Sequence, residues 1–290
     1  MLGPTDVAPG VARVAARTPT LPPATHTNSY ALGAREVLLV EPATPDDDEL
    51  AEWIAWARGL ASAGRTLVGL LATHHHVDHV GGLDVLTREL GLTLFVHADT
   101  ASRLAFTGPV RTLEDGDVLT LDGPRAVALR VLHTPGHAPG HVCLFDEADR
   151  TLVVGDMVAS EGTILIAPAS GGGDMAEYLR QLRRLADLDA ATALPAHGHP
   201  IQAPTAHFER YVTHRLAREA RVRQATRAEG DTLDALVRVA YGDTPAALHP
   251  IAKLSLEAHL EKLVEDGLVT REGDRFFAAE PGGEEKLPTL

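Results

Sequence analysis

This chain has a single cysteine, Cys143, which excludes an intramolecular disulfide framework and fits a reducing compartment. Cys143 lies in the apolar run H-V-C-L-F and reads as a buried packing residue. Residues 1–23 are rich in Ala, Pro and Thr but lack the continuous apolar core of a secretory signal, and no later run is long enough to span a bilayer. Basic side chains are scarce too: 26 Lys and Arg face 40 Asp and Glu, a formal charge of −14. That balance repels polyanions at long range and counts against non-specific nucleic-acid binding by the molecule as a whole, without excluding a local basic site. The expectation is a cytoplasmic protein with no membrane segment. With 290 residues, 44% of them hydrophobic, it is long enough for one large and one small domain.

What the chain does have is histidine in a pattern. Residues 73–82 read T-H-H-H-V-D-H-V-G-G, so that His74, His76, Asp78 and His79 follow an HxHxDH spacing directly after the apolar run 67–72, a buried strand. Histidines two apart at a strand end can point the same way, and a following turn can bring Asp78 and His79 to the same small volume. Neutral imidazole and carboxylate are good ligands for divalent metal, and so many in one place suggest two ions. A solvated, metal-scavenging His tract is the bland alternative. The position of the tract, between a core strand and a Gly-Gly turn into a helix, argues against it. His75 alternates with its neighbours and should point away.

Around this motif the chain reads as alternating strand and helix. Residues 25–40 form two strands joined at Gly33, residues 46–64 a helix with Asp46 to Glu49 in its first turn, 83–90 a helix stopped by Gly91, and 92–97 a strand. Short apolar runs at 118–121, 126–132, 142–145 and 152–154, separated by Asp/Gly turns, then read as a meander. Chemistry gathers at their ends: T-P-G-H presents His137, V-V-G-D presents Asp156, and, after a helix at 174–185, L-P-A-H-G presents His197. His141 is a candidate to hydrogen-bond a ligand, whereas His97 reads as packing.

HxHxDH, T-P-G-H, G-D and P-A-H-G, in this order over residues 24–202, resemble the metallo-β-lactamase fold superfamily. The resemblance implies an α/β (α+β) architecture, an αββα sandwich with a dinuclear site at one edge of its two sheets. It implies that His74, His76 and His137 hold one ion, that Asp78, His79 and His197 hold the other, and that Asp156 bridges them. Two cations about 3.5–4 Å apart can activate a shared water and polarise a carbonyl or phosphoryl oxygen. Asp78 can orient that nucleophile as the catalytic residue. The nitrogen and oxygen ligand set admits zinc, the leading choice, or iron or manganese. Exported β-lactam-destroying members generally lack the bridging Asp that Asp156 supplies, so β-lactamase activity is not expected. Relatives commonly carry an Asp-x-Gly turn where this chain has Glu41-Pro42-Ala43, which weakens the case for support of the ligands from that side.

The character changes near Pro204. Residues 206–228 read as a long helix with Phe208, Val212, Leu216 and Ala220 as its apolar stripe and Arg210, Arg215, Arg218, Arg221, Arg223 and Arg227 around it. A second helix follows the Asp231-Thr232 cap, Pro250 opens a third that ends at Asp266, and a hairpin-like pair ends the pattern. This outline is winged-helix-like and resembles the tail of the β-lactamase-like protein 2 group, whose members include single-strand-preferring endoribonucleases. The division expected is 1–203 catalytic and 204–290 winged-helix-like. The third helix carries Glu257, Glu261, Glu265 and Asp266 against Lys253 and Lys262, a poor face for phosphate, and is expected to cap the site or form an interface, including one between copies of the chain. Three functions are weighed: a dinuclear metal-dependent hydrolase of small esters or thioesters, with glyoxalase II-like chemistry; an endoribonuclease on single-stranded RNA, guided by the arginines after Ala206; and a non-enzymatic winged-helix regulator, which the full ligand set disfavours.

Overall fold

The computed structural model describes residues 2–279. Its first layer is a seven-stranded sheet in sequential order: β1 (Thr5–Ala8), β2 (Val11–Arg17), β3 (His26–Leu32), β4 (Glu36–Val40), β5 (Thr66–Leu71), β6 (Leu94–His97) and β7 (Val110–Leu113). Helices α1 (Asp47–Ser62), α2 (Val77–Val80), α3 (Leu83–Leu90) and α4 (Ala98–Ala101) lie in its crossovers. A six-stranded sheet follows, built from β8 (Val118–Leu121), β9 (Val127–His133), β10 (Val142–Asp146), β11 (Thr151–Gly155), β12 (Thr192–Pro195) and β13 (Ile201–Gln202) in the order β13-β12-β11-β10-β9-β8. Helix α5 (Met175–Ala186) makes the crossover from β11 to the parallel β12.

Alternation along the strands creates the layers. In β4, Leu38 and Val40 face the other sheet and join Leu71, Val131, Leu144, Val153 and Leu194 in the inter-sheet core. Val37 and Leu39 face the opposite way, under Trp53 of α1 and Leu86 of α3. In β10, Cys143 and Phe145 turn outward to pack with Tyr178 and Leu182 of α5. The result is the expected αββα sandwich. Asp46 caps α1, accepting from the backbone N–H of Asp48 and Glu49, and Gly91 ends α3 at φ +66° as a left-handed cap. The N-terminal hairpin of β1 and β2 has no counterpart in the sequence reading, because its short alternation rests on Val11, Val14 and Ala16 among arginines.

The C-terminal region holds α6 (Pro204–Ala225), β14 (Asp231–Thr232), α7 (Leu233–Ala240), α8 (His249–Glu265), β15 (Val269–Glu272) and β16 (Arg275–Ala278), with the three strands in one small sheet. It is a winged-helix unit with its own core of Leu236, Val237, Leu256, Leu260 and Phe276. Helix α6 belongs to both regions: Phe208 and Tyr211 enter the core of α5, while Val222 enters the C-terminal one. The apolar stripe expected along α6 holds at Phe208 and Val212 and fails from Leu216 onward. Leu216 is 39% exposed and Arg215 only 3%, because the helix turns its donors, not its leucine, toward a segment that needs them.

Candidate metal centre

All seven predicted ligands collect at one edge of the sandwich, each at a strand end. His74 and His76 follow β5, Asp78 and His79 lie on the single turn of α2, His137 follows β9, Asp156 follows β11 and His197 follows β12. Three imidazole nitrogens form one group: His76 Nδ1 lies 2.9 Å from both His74 Nε2 and His137 Nε2, which are 3.1 Å from each other. Their tautomers are set from behind. His137 Nδ1–H donates to the Leu165 carbonyl at 2.9 Å, and His74 Nδ1–H donates at 3.0 Å to Thr73 Oγ1, whose own proton goes to Glu41. His74 Nε2 and His137 Nε2 therefore face each other as lone pairs, an arrangement that a cation would relieve. Burial holds all three imidazoles neutral, pushing His76 down to about 2 and lowering His74 and His137.

The second group is mixed. Asp156 Oδ1 lies 3.3 Å from His197 Nε2 and 3.6 Å from His79 Nε2, while its Oδ2 lies 3.6 Å from His137 Nε2. One carboxylate thus faces both groups with different oxygens. Asp78 Oδ2 stands 3.6 Å from His197 Nε2 and 3.9 Å from His79 Nε2. Burial opposes the charged form of His79, yet Glu41 and Asp156 raise its pKa well above the usual value; burial likewise opposes charge on His197, and Asp156 raises it. Asp156, although buried, is held well below the ordinary carboxylate range by His79 and His197. His79 Nε2 and Asp156 Oδ1 are buried with no hydrogen-bond partner, both aimed at the same small volume. Orphaned polar atoms of this kind, beside opposed lone pairs, fit divalent metal.

Supporting contacts come from the Glu41 side as well. Glu41, placed at φ +61° and 1% exposed, accepts from Thr73 N–H at 3.2 Å, Thr73 Oγ1–H and His79 Nδ1–H at 3.1 Å. The side where the sequence made support doubtful is therefore supported; the Glu side chain reaches both ligand-bearing segments. His141 Nε2 accepts from Asp156 N–H at 3.1 Å, as a residue that positions a ligand would. A Cβ on Gly155, at φ +47°, would meet His141 Nε2 at 2.6 Å and Thr73 Oγ1 at 2.8 Å. His197 Nδ1–H donates to the His26 carbonyl at 3.0 Å. His75 is turned from the cluster, and His97 caps α4 and stacks on His133 at 3.9 Å.

Five of the six arginines after Ala206 are committed elsewhere, and Arg223 is exposed. Arg215 is buried, and Arg218 and Arg221 pair with Asp243, with Arg218 also over the Tyr241 ring. Polar contacts, not a free cationic face, occupy them.

A family model described as Metallo-beta-lactamase superfamily matches residues 22–197, more than half of the chain and the whole ligand set. The chain belongs to the metallo-β-lactamase superfamily. It is a hydrolase of that superfamily, and a Beta-lactamase associated winged helix domain model matches residues 232–278. The chain is 29% identical over 269 residues to the Beta-lactamase-like protein 2 homolog of Caenorhabditis elegans, covering 90% of this chain and 87% of that one. It is 29% identical over 288 residues to the Atrochrysone carboxyl ACP thioesterase of Aspergillus chevalieri, covering 96% and 85%. Among solved structures, a metallo-beta-lactamase family protein from Thermus thermophilus matches with a TM-score of 0.76 and 27% identity over 93% of this chain and 99% of that one. A Beta-lactamase domain protein from Burkholderia ambifaria shares the fold at a TM-score of 0.83 and 24% identity, over 95% and 93%. Each of these matches covers at least 90% of this chain. No helix among the described residues is long and apolar enough to cross a membrane.

Proposed function

We propose that this metallo-β-lactamase superfamily hydrolase acts on small esters or thioesters and holds two divalent ions, zinc by preference. His74, His76 and His137 would hold one, Asp78, His79 and His197 the other, and Asp156 would join them. The observation that carries the substrate class is the pocket over the cluster. Leu21, Pro23, Val77, Ile164, Leu165 and Ala167 line it beside the ligands, and among the described residues no lysine or arginine does. An apolar wall suits an acyl group, whereas a phosphodiester chain calls for cations. A relative named as a carboxyl ACP thioesterase supports the same class.

Bound ions supply Lewis-acid polarisation and an activated water. The chain's own residues do the rest. The apolar wall orients the acyl group and excludes bulk water. Asp78 borders the pocket, and its Oδ2 would orient the attacking water and take its proton. His137, His79 and His197 are held in fixed orientation by Leu165, Glu41 and His26, so little reorganisation accompanies reaction.

Elemental analysis and a substrate panel test this reading. The metal-loaded chain should hold about two ions and turn over acyl thioesters faster than lactones, with labelled single-stranded RNA uncut. One ion after reconstitution at neutral pH would overturn the dinuclear centre, and RNA cleavage without thioester turnover would overturn the substrate class.

A further inference from the structure

The wall of the pocket opposite α2 is irregular chain. Between β11 and α5, residues 158–168 form neither helix nor strand, so their carbonyls must find donors elsewhere. The donors come from the C-terminal helices. His207 Nε2–H donates to the Ala159 carbonyl at 2.8 Å, and the Tyr211 hydroxyl, which accepts from Ala159 N–H at 3.0 Å, lies 3.4 Å from the Gly162 carbonyl. Arg215 Nη2 donates to the Ile164 carbonyl and, at 2.9 Å, to Thr163 Oγ1. Ser255 of α8 reaches the Ile166 carbonyl at 3.3 Å. His207, Tyr211 and Arg215 are four residues apart on α6, one stripe serving one strip of backbone. Leu165, the residue between Arg215's and Ser255's targets, gives its carbonyl to His137.

Burying a guanidinium costs several kcal/mol unless strong partners offset it. Among the described residues no carboxylate hydrogen-bonds to it; its Nη2 bonds to the loop, its Nε is buried without a partner, and it lies 5.7 Å from the Tyr178 ring centroid. Such charge-assisted bonds fix a segment far more firmly than neutral ones. We infer that Arg215 is a positioning residue: from outside the sandwich it fixes residues 163–165, and through the Leu165 carbonyl it sets the orientation of His137 while shaping the acyl-binding wall. The inference rests on the proposed ligand role of His137 and deepens that reading of the site.

The test reads metal retention first, by chelator competition on the full chain loaded with zinc, because this needs no substrate. Loss of an outer-shell partner weakens metal affinity about 10–100-fold, and Arg215→Ala, acting one contact further out, should loosen one ion about tenfold and leave the other. It should also raise KM for an apolar thioester more than it lowers kcat, and Arg215→Lys should restore part of both. Arg223→Ala, exposed on the same helix, should change neither. If Arg215→Ala does not fold, Thr163→Val removes one contact from the loop side and should shift metal retention and KM in the same direction by a smaller factor. Cooperative melting with unchanged retention of both ions and unchanged KM in Arg215→Ala, or in Thr163→Val if only that folds, would overturn the inference. Absence of thioester turnover in the parent chain would instead defeat the substrate reading while the metal arm still decides the role of Arg215.

Discussion

The two halves of the cluster solve opposite electrostatic problems. The His74, His76 and His137 half is neutral and contracted, with nitrogens 2.9–3.1 Å apart and burial suppressing protonation. The Asp78, His79 and His197 half is mixed and looser, with separations of 3.3–3.9 Å to its carboxylates; Glu41 and Asp156 raise the pKa of His79, and Asp156 raises that of His197. One half presents lone pairs to a cation; in the other, nearby carboxylates favour protons on the histidines, and a cation would compete with those protons. Ion binding at the two halves should therefore differ in proton release even though the ligand types overlap.

Removing the group both halves share should have the largest effect. Asp156→Ala should lower metal content at both halves and cut turnover by more than the roughly 100-fold upper end seen for loss of an outer-shell partner. Loss of one ion with the other retained at parental affinity would show that Asp156 belongs to one half. Next in size, Glu41→Gln keeps the shape of the side chain but removes the charge that faces His79 and Thr73. It should weaken the mixed half about 10–100-fold and the three-histidine half less, since only His79 receives Glu41 directly. Equal weakening at both, measured by competition with a fluorescent chelator, would remove the distinction.

Acidification should separate the halves more gently. The pKa values of His79 and His197 are raised, so protons compete there from a higher pH downward, whereas the lowered values on the three-histidine side leave it unprotonated through the same range. Affinity of the mixed half should fall about tenfold per pH unit for each proton displaced, as pH drops below the raised values. Calorimetric titration in buffers of different ionisation enthalpy counts the protons. Equal release from both halves would contradict the comparison.

The ligands are legible in the sequence because their information is local: each sits where an apolar strand meets a turn, at a spacing that chain geometry alone converts into convergence. Glu41 is not, because its role depends on a left-handed backbone at φ +61° that carries the carboxylate to residues 32 and 38 positions away. Arg215 escapes a sequence reading for a related reason. Helical periodicity identifies stripes but not which stripe is buried, and an apolar stripe is the usual choice. Here an adjacent layer of unpaired carbonyls makes the polar stripe the inward one. The winged-helix outline is legible from its caps at Thr232 and Pro250, but not its grip on residues 159–169, which only tertiary packing creates.

The seam between the two sheets has a mechanical meaning. Asn28 Nδ2 on β3 donates to the carbonyls of Pro195 at 2.8 Å and Gly198 at 3.0 Å, Asn28 N–H reaches the Ala196 carbonyl at 2.7 Å, and the Tyr30 hydroxyl reaches that of Pro195 at 2.7 Å. The backbone of His197 thus belongs to one layer while its aim is set by the other. Four of the seven candidate ligands ride on the first sheet and three on the second, so sliding of the layers by even a fraction of an ångström would register as a change in ligand separation. Loaded with metal, the cluster would act as a rivet through the laminate: occupation would oppose shear between the sheets, and stiffness of the seam would in turn limit how far the cation's surroundings relax.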